Sequence, residues 1–323
     1  MKLTVQMVVI NEEDYVYFAL KSIYDVVEEI VIVEGAARNR YGREAIEQGF
    51  LTEEGLSTDG TQAEIQRMLD EDADHKIKYI RYGWQQSVND LRRHCHQNVS
   101  SNTDYCLILD SDAVYRPREI QCLRNLVIGY PSIWMIAAKE LMFFLDLNHI
   151  LTVGEDYLQM CNYIDSGLFW KYLPDIEILG QRPYRLGQKM ELGLRRTRFQ
   201  ELKTLDKKGE KLYLFEPAGL FDILHFGWVH TPEKMERHIL RWAHATRNLV
   251  ARGGGDERMK RWCAPILESN DGEIMEYYQT YHKIWTGIYD ESVEEHLEKF
   301  TGTYPVVMLE HPYYGKSAEE LGW

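Results

Sequence analysis

Several features are scarce in this 323-residue sequence, and each scarcity excludes a class of protein. Lysine and arginine together number 37 against 51 aspartates and glutamates, so the formal net charge is −14. A chain this acidic repels phosphate groups, and we expect no nucleic-acid or anionic-membrane partner. The five cysteines are widely spaced and contain no Cys-x-x-Cys pair, so they predict neither a zinc knuckle nor a disulfide framework.

Long apolar runs are also missing. A membrane-spanning helix needs about 20 consecutive apolar residues, and the apolar runs of this chain are short. The N-terminal segment MKLTVQMVVINEED carries one lysine and soon meets acidic residues, so it predicts a buried first strand and no signal peptide. Together with free thiols, which fit a reducing compartment, these absences predict a cytoplasmic protein without a transmembrane segment.

What the sequence does contain is a regular alternation of strand-like and helix-like segments over its first third. Strands are predicted at residues 3–10, 28–35, 75–83 and 105–110, and helices within 12–27, 57–71 and 85–99. This order predicts an α/β fold with a mainly parallel sheet, which binds ligands beyond the carboxyl ends of its strands. No Gly-x-Gly-x-x-Gly follows the first strand, which disfavours a dinucleotide-binding protein.

The remainder of the chain is less regular. We expect one domain over residues 1–231, with halves at 1–116 and 117–231, followed by a helical C-terminal extension at 232–323. The first helix of the extension begins near Pro232, because proline suits a first helical turn. The last residues, HPYYGKSAEELGW, are predicted to form a surface extension.

Two carboxylates, Asp110 and Asp112, follow the fourth predicted strand in the stretch YCLILDSDAVYRP. Side chains alternate along a strand, but in the turn after it both carboxylates can converge on one cation. Such hard oxygen ligands suit Mg²⁺ or Mn²⁺. The alternative is a polar surface turn, in which the same pattern is frequent.

The order of short motifs points to a family. Asn11-Glu12 follows the first strand, Glu34 ends the second, STDGT opens a helix at Ser57, and an arginine-bearing helix precedes Asp110-Ser111-Asp112. Over about the first 120 residues, this series resembles the family 2-type glycosyltransferases of the GT-A fold. The resemblance implies a Rossmann-like, mainly parallel sheet, with a nucleotide-sugar-binding half at 1–116 and an acceptor half at 117–231.

The resemblance also implies roles on the donor side. Asn11 and Glu12 would line the nucleotide pocket, and Glu34 would contact the base or ribose. Asp59 matches the family aspartate, although it is also a candidate helix N-cap. Arg93 best matches the arginine that approaches the diphosphate, with Arg92 beside it in the sequence.

The resemblance implies that Asp110 and Asp112 bind the metal ion. It also implies that Asp110 and Ser111 contact the nucleotide-sugar donor. The segment LHFGWVHTPEKM resembles a second family segment, and His225 is the expected third ligand. His230 is its rival, and a satisfied core histidine is the plainer alternative. A neutral imidazole is required for metal binding, so affinity should fall at low pH.

The resulting hypothesis is an inverting, metal-dependent glycosyltransferase that moves a hexosyl or N-acetylhexosaminyl group. The donor is a UDP- or GDP-sugar, with UDP favoured, the cofactor is Mn²⁺ or Mg²⁺, and the acceptor is a glycan or another hydroxyl-bearing molecule. Arginines between 182 and 198 would assist Arg93. The base candidates are the pair Glu155 and Asp156, which is favoured, then Asp165 and Glu191; each is equally a solvated loop acid.

Two other functions stay open. A sugar-phosphate nucleotidyltransferase is disfavoured, because acidic residues 11–14 occupy the place of its glycine-rich segment and would repel a triphosphate. A non-catalytic nucleotide-sugar or glycan-binding module is disfavoured by the intact acid pair, although Ala113 stands where a third acid is frequent. The aromatic-rich helical extension is expected to cover the acceptor site or to form a homodimer contact.

Overall fold

The computed structural model describes residues 1–136, 139–151, 169–172, 195–197, 210–214, 222–251, 270, 272–273 and 297–323, which form a mixed α/β fold. The strands are β1 Leu3–Val9, β2 Glu29–Glu34, β3 Ile77–Arg81, β4 Tyr105–Ile108, β5 Ala113–Val114, β6 Ile133–Ile136, β7 Lys139–Phe144, β8 His149–Leu151, β9 Phe169–Lys171, β10 Arg195–Thr197, β11 Leu212–Leu214, β12 Asp222–Trp228 and β13 Leu297–Lys299. The helices are α1 Val16–Ile23, α2 Glu44–Glu47, α3 Thr61–Asp70, α4 Val88–Gln97, α5 Pro117–Gly129 and α6 Pro232–Ala251. Short 3₁₀ helices lie at Tyr24–Val26, Val306–Glu310 and Glu319–Leu321.

The main sheet has the strand order β10-β11-β6-β9-β4-β1-β2-β3. All of its pairings are parallel except those of β9, which runs antiparallel to β4 and β6. Every residue of β2 and β4 is buried, as expected for a parallel sheet covered on both faces by helices. The predicted α/β class, with its mainly parallel central sheet, is confirmed.

The first four predicted strands and the three helices between them are all present, with shifts of one to four residues at their ends. Helix α4 begins with a capping box in which Ser87 and Asp90 satisfy each other's backbone N–H groups. Helix α3 differs from the prediction, because its N-cap is Gly60 and makes no side-chain cap. Asp59 instead accepts a hydrogen bond from the N–H of Thr61 at 3.0 Å.

A second sheet, of order β13-β8-β7-β12-β5, lies at the end of the main one. Its edge strand β5 begins immediately after Asp112 and pairs antiparallel with β12, with Ala113 opposite His225. His225 therefore sits in the middle of β12. The pairing attaches the distant β12 to the carboxyl end of β4.

The described part of the C-terminal extension packs on the rest of the chain. Strand β13 pairs with β8, and α6 lies over the end of β1. The prediction of a surface tail is wrong, because His311, Tyr313 and Leu321 are buried. Residues 252–269, 271 and 274–296 of the predicted helical extension lie outside the described residues.

Of the described helices, none combines the length and the apolar character that crossing a membrane would require.

Glu29, at the start of β2, makes the fold sensitive to acid. The residue is 4% exposed. Its carboxylate accepts hydrogen bonds from Lys78 at 2.5 Å, from Ser100 Oγ at 2.6 Å and from Thr4 Oγ1 at 2.9 Å. Burial would raise the pKa of this carboxyl, but the hydrogen bonds outweigh it and lower the pKa to about 2.

We predict that Glu29→Gln lowers the free energy of unfolding at pH 7 by about 1–3 kcal/mol, since it disrupts a buried charged network. The folded pKa lies below the ordinary value near 4.5, so this stabilisation is full above pH 4.5 and is lost as pH falls towards 2. Urea unfolding should therefore show a smaller difference in the free energy of unfolding between variant and wild type at pH 3 than at pH 7. Glu64→Gln, on the surface of α3, is the control; a gap independent of pH would contradict the assignment.

Candidate active site

The candidate site lies at the carboxyl edge of the main sheet, where β1 and β4 are neighbours. Residues 11–14 follow β1, and residues 110–112 follow β4. Two further elements close over this edge: strand β12, through its pairing with β5, and helix α6, which follows β12. Three distant parts of the sequence, namely residues 11–14, 110–112 and 222–251, thus meet at one place.

Asp112 and His225 form the centre of the site. His225 Nε2 lies 3.4 Å from Asp112 Oδ1, and the backbone N–H of Phe226 donates to the Asp112 carbonyl at 2.8 Å. Both side chains are largely buried, with 15% exposed for Asp112 and 17% for His225. Gly227 leaves the room that this arrangement needs, because a Cβ there would lie 2.5 Å from Asp112 Oδ2.

A carboxylate and an imidazole that meet in this way fit a divalent cation such as Mn²⁺. Among the residues that the structure describes, no group of three or more metal-binding side chains lies close enough to hold an ion. The predicted trio of Asp110, Asp112 and His225 is therefore not assembled; only the last two meet. A two-ligand site leaves positions for water and for phosphate oxygens, as Mg²⁺ sites usually do.

Asp110 faces Arg92 of α4, whereas Arg93 was the arginine expected to approach the diphosphate. Arg92 Nη2 lies 3.3 Å from Asp110 Oδ1, while Arg93 Nη1 pairs with Asp90 on the helix at 2.5 Å. Consecutive residues of a helix point about 100° apart, so only one of the two arginines can face the sheet edge. The Nε of Arg92 is buried without a hydrogen-bond partner among the described residues. Ser111, between the two acids, is buried.

A second guanidinium lies near Arg92. Burial, together with the like charge of Arg92, lowers the pKa of Arg40, which belongs to the segment between β2 and α2. Arg92 beside Asp110, with Arg40 near Arg92, gives this corner a local positive charge in an acidic protein, which suits a phosphate group.

Glu34 is engaged with protein donors in this structure, and its predicted contact with a base or ribose stays a prediction. Its side chain is fully buried at the end of β2. It accepts hydrogen bonds from the N–H of Ser57 at 2.8 Å, from Arg81 Nε at 3.2 Å and from the Tyr79 hydroxyl. Protein donors thereby occupy the carboxylate and tie the end of β2 to β3 and to the segment before α3.

Asn11 also has a structural role. It adopts a left-handed backbone conformation, with φ 53°, in the turn after β1. Its amide donates to the Phe50 carbonyl at 2.6 Å and accepts from the Thr58 N–H at 2.9 Å. Asn11 thus fixes the 50–58 segment beside the end of β1, which places Asp59 at the site.

Glu12 and Asp59 line a small cavity of about 60 Å³ between the end of β1 and α6. The lining residues are Asn11, Glu12, Glu13, Asp14, Phe50, Asp59, His230, Lys234, Arg237, His238 and Arg241. Arg241 donates to the carbonyls of Ile10 and Asn11 and lies 3.1 Å from Glu12 Oε1. Burial, with weaker contributions from Asp112 and Asp59, raises the pKa of Glu12 well above its ordinary value despite Arg241.

The cavity contains residues that the sequence reasoning missed, namely Asp14, Lys234, His238 and Arg241. Lys234, His238 and Arg241 recur at positions i, i+4 and i+7 of α6, and this spacing places them on one helix face. Burial is the main reason that the pKa of His238 is well below its ordinary value, so its imidazole is neutral. The spacing was visible in the sequence, but which surface the face would cover was not.

The base candidates Glu155, Asp156, Asp165 and Glu191 lie outside the described residues, as do Arg182, Arg185, Lys189 and Arg198. Of Arg195 and Arg196, the structure describes only the backbone, in β10. Their predicted roles stay predictions.

Comparison with known proteins gave similarity at the level of structure alone. No protein-family model and no curated protein matches the sequence. Among solved structures, S. aureus TarS 1–349 is 13% identical over 91% of this chain and 77% of that chain, with a TM-score of 0.39. Glucosyl-3-phosphoglycerate synthase from Mycobacterium tuberculosis, in complex with Mn²⁺, UDP-glucose and phosphoglyceric acid, is 13% identical over 79% and 81%, with a TM-score of 0.40.

A third similar structure is a mannosyltransferase from Pyrobaculum calidifontis in complex with GDP-Man and Mn²⁺. It is 13% identical over 86% of this chain and 69% of that chain, with a TM-score of 0.39. Similarity this low assigns no activity to the chain, so the function has to be argued from its own residues.

Gly227 provides a test of the paired site that leaves both candidate ligands in place. We predict that Gly227→Ala weakens Mn²⁺ binding about 10- to 100-fold, because the new Cβ displaces Asp112 and lies 3.0 Å from His225 Cε1. Titration of free Mn²⁺ by electron paramagnetic resonance measures the change. Gly129→Ala is the matched control, since nothing lies within 4 Å of its added Cβ. Equal affinities in the two variants would show that Asp112 and His225 do not bind the ion.

Proposed function

We propose that the protein is a metal-dependent, inverting glycosyltransferase that uses a nucleotide-diphosphate sugar. The observation that carries this proposal is the meeting of Asp112 with His225, 3.4 Å apart, beside the Arg92–Asp110 pair at the carboxyl edge of a parallel sheet. The motif series from Asn11 to Asp112 supports it, since the sheet brings the ends of that series to one edge.

In this function Asp112 and His225 would hold the divalent cation. When bound, the ion supplies positive charge that stabilises the leaving diphosphate. Arg92, with Arg40 close by, would add a fixed positive charge on the other side of Asp110. Such preorganised charge is effective because the surrounding protein is only partly accessible to water.

The acidic segment 12–14 does not repel such a donor, because α6 compensates it. Lys234 lies 2.8 Å from Glu13 Oε1 and 2.5 Å from Asp14 Oδ1, and Arg241 is paired with Glu12. The raised pKa of Glu12 further reduces the negative charge at this edge.

Several finer points belong to the same proposal. We favour a UDP-sugar over a GDP-sugar and a glycan or another hydroxyl-bearing acceptor. A domain of residues 1–231 would carry the transfer, with residues 232–323 as its extension. We also propose that the protein is cytoplasmic and that it forms a homodimer through the extension.

The direct test is metal-dependent donor binding. We predict that UDP- or GDP-sugars bind the wild type in Mn²⁺ and bind at least about tenfold more weakly without it, since the ion would supply positive charge to the diphosphate. Asp112→Ala should abolish this metal dependence. Isothermal titration calorimetry measures both, and transfer is read from released nucleoside diphosphate. Formation of a nucleoside triphosphate when pyrophosphate is added would indicate a nucleotidyltransferase, and binding without turnover would indicate a binding module.

The two adjacent arginines of α4 give a matched pair of variants. We predict that Arg92→Ala weakens donor binding by about 1.5–3 kcal/mol, the range for hydrogen bonds to charged groups. Arg93→Ala should change it by less than about 0.5 kcal/mol, because Arg93 is engaged with Asp90 on the helix surface. The same calorimetric titration distinguishes them. The opposite order of effects would restore Arg93 as the diphosphate residue.

A further inference from the structure

The imidazole of His230 has one ring nitrogen bonded to a buried carboxylate and the other without a hydrogen-bond partner among the described residues. Neither metal binding nor packing accounts for this arrangement. His230 follows β12, is 6% exposed, and lines the cavity beside Glu12 and Asp59. We propose that His230, oriented by Asp14, accepts the proton of the acceptor hydroxyl during sugar transfer. This inference rests on the proposed glycosyltransferase function and assigns its missing base.

The hydrogen bond from His230 to Asp14 fixes which ring nitrogen is free. His230 Nδ1 lies 2.8 Å from Asp14 Oδ2. Burial alone would raise the pKa of Asp14, but its bonds to His230 and Lys234 hold that pKa well below the ordinary value, so the carboxylate is ionised. An ionised carboxylate only accepts hydrogen bonds, so Nδ1 carries the hydrogen, and the lone pair of a neutral ring would lie on Nε2.

Nε2 is the atom that this arrangement leaves available. It is buried and has no hydrogen-bond partner among the described residues. Buried polar atoms are nearly always partnered, and exceptions call for a reason. A ligand hydroxyl that enters the cavity and donates to Nε2 supplies that reason, since the cavity is large enough for a group of that size.

Contacts from three directions hold the ring in place. Lys234 and the Tyr313 hydroxyl both bind the Asp14 carboxylate, at 2.5 and 3.0 Å. The indole N–H of Trp323 donates to the His230 carbonyl at 3.0 Å, and the ring of Tyr15 meets the imidazole edge-on with 5.5 Å between centroids. A carboxylate that orients an imidazole, with the second nitrogen free, is an arrangement used for general bases.

Metal binding by His230 is the alternative, and the geometry disfavours it. His225, not His230, contacts Asp112. Among the residues that the structure describes, His230 belongs to no group of three metal-binding side chains.

In the proposed step, Nε2 takes the proton from the acceptor hydroxyl as its oxygen bonds to the anomeric carbon. The bond from that carbon to the diphosphate oxygen breaks, and its electron pair leaves on the nucleoside diphosphate. The ring becomes an imidazolium that Asp14 stabilises, and it later returns the proton to solvent. No further reactant is needed, and the anomeric centre is inverted.

The protonation of His230 depends on the groups that surround it. The titratable and charged groups packed against the ring are Asp14 and Tyr15 from the start of α1, Lys234 and His238 from α6, and His311 and Tyr313 from the C-terminal segment. Across the cavity lie Glu12, Glu13, Asp59, Arg237 and Arg241. Of these, Asp14 is the group that bonds to the ring directly.

The test compares His230→Gln, Asp14→Asn and His149→Gln with the wild type in Mn²⁺, using the donor and acceptor that the wild type turns over. We expect kcat to fall about 100-fold or more in His230→Gln, less in Asp14→Asn, and not at all in His149→Gln. His149 is a matched control, because it makes an equivalent 2.8 Å bond to Asp146 outside the cavity. At Mn²⁺ concentrations that saturate the enzyme at every pH, the loss of rate on the acidic side of the pH profile should disappear in His230→Gln, while donor affinity by calorimetry stays within about threefold.

Each outcome decides the matter. A kcat for His230→Gln within tenfold of the wild type, or an unchanged acidic limb, overturns the assignment while the proposed function stands. Loss of donor binding together with kcat also overturns it, because His230 would then serve the donor or the metal. A wild type that turns over no nucleotide sugar refutes the proposed function itself. Nitrogen-15 NMR of the histidine rings tests the dyad without activity: a His230 tautomer protonated on Nε2 at neutral pH contradicts the arrangement.

Discussion

The antiparallel pairing of β5 with β12 is the constraint on which the candidate site depends. Strand β5 has only two residues, yet it pairs Ala113 with His225 and so places the imidazole beside Asp112. A shift of one residue in this register would turn His225 to the opposite face of its strand and separate the two side chains. Gly227 permits the close approach, because any larger residue would meet the Asp112 carboxylate. The same pairing positions the segment after β12, and hence His230 and α6.

Charge compensation around residues 12–14 is the second organising feature. Three consecutive acids at the end of a buried strand would destabilise the fold if they were left unpaired, because desolvation penalises each charge. Helix α6 supplies Lys234 and Arg241 from one face, and Arg241 also satisfies the carbonyls of Ile10 and Asn11. The C-terminal segment adds Tyr313. These contacts join residues 232–251 and 297–323 to the main sheet, although the sequence suggested a separate extension.

Local patterns in the sequence were sufficient to predict the first four strands, the helices between them and the parallel sheet. Side-chain roles were harder to predict. Glu34 was expected at a ligand, and in the structure Ser57, Tyr79 and Arg81 donate to it; these partners come from two segments, strand β3 and the stretch before α3. The choice between Arg92 and Arg93 depended on the rotation of α4 about its axis, which neighbouring helical residues in a sequence do not specify. Asp14 carried no signal beyond being one acid among several.

By itself, the sequence determined the α/β class, the acidic character of the protein and the position of Asp110-Ser111-Asp112 at a strand end. These properties follow from hydrophobic periodicity, composition and strand order, each of which is local or additive along the chain. Only the tertiary structure decided that Asp112 meets His225, that Asp110 meets Arg92, and that His230 is oriented by Asp14. Each of these contacts joins residues between 18 and 216 positions apart, so it depends on strand register and helix packing, which no local pattern encodes.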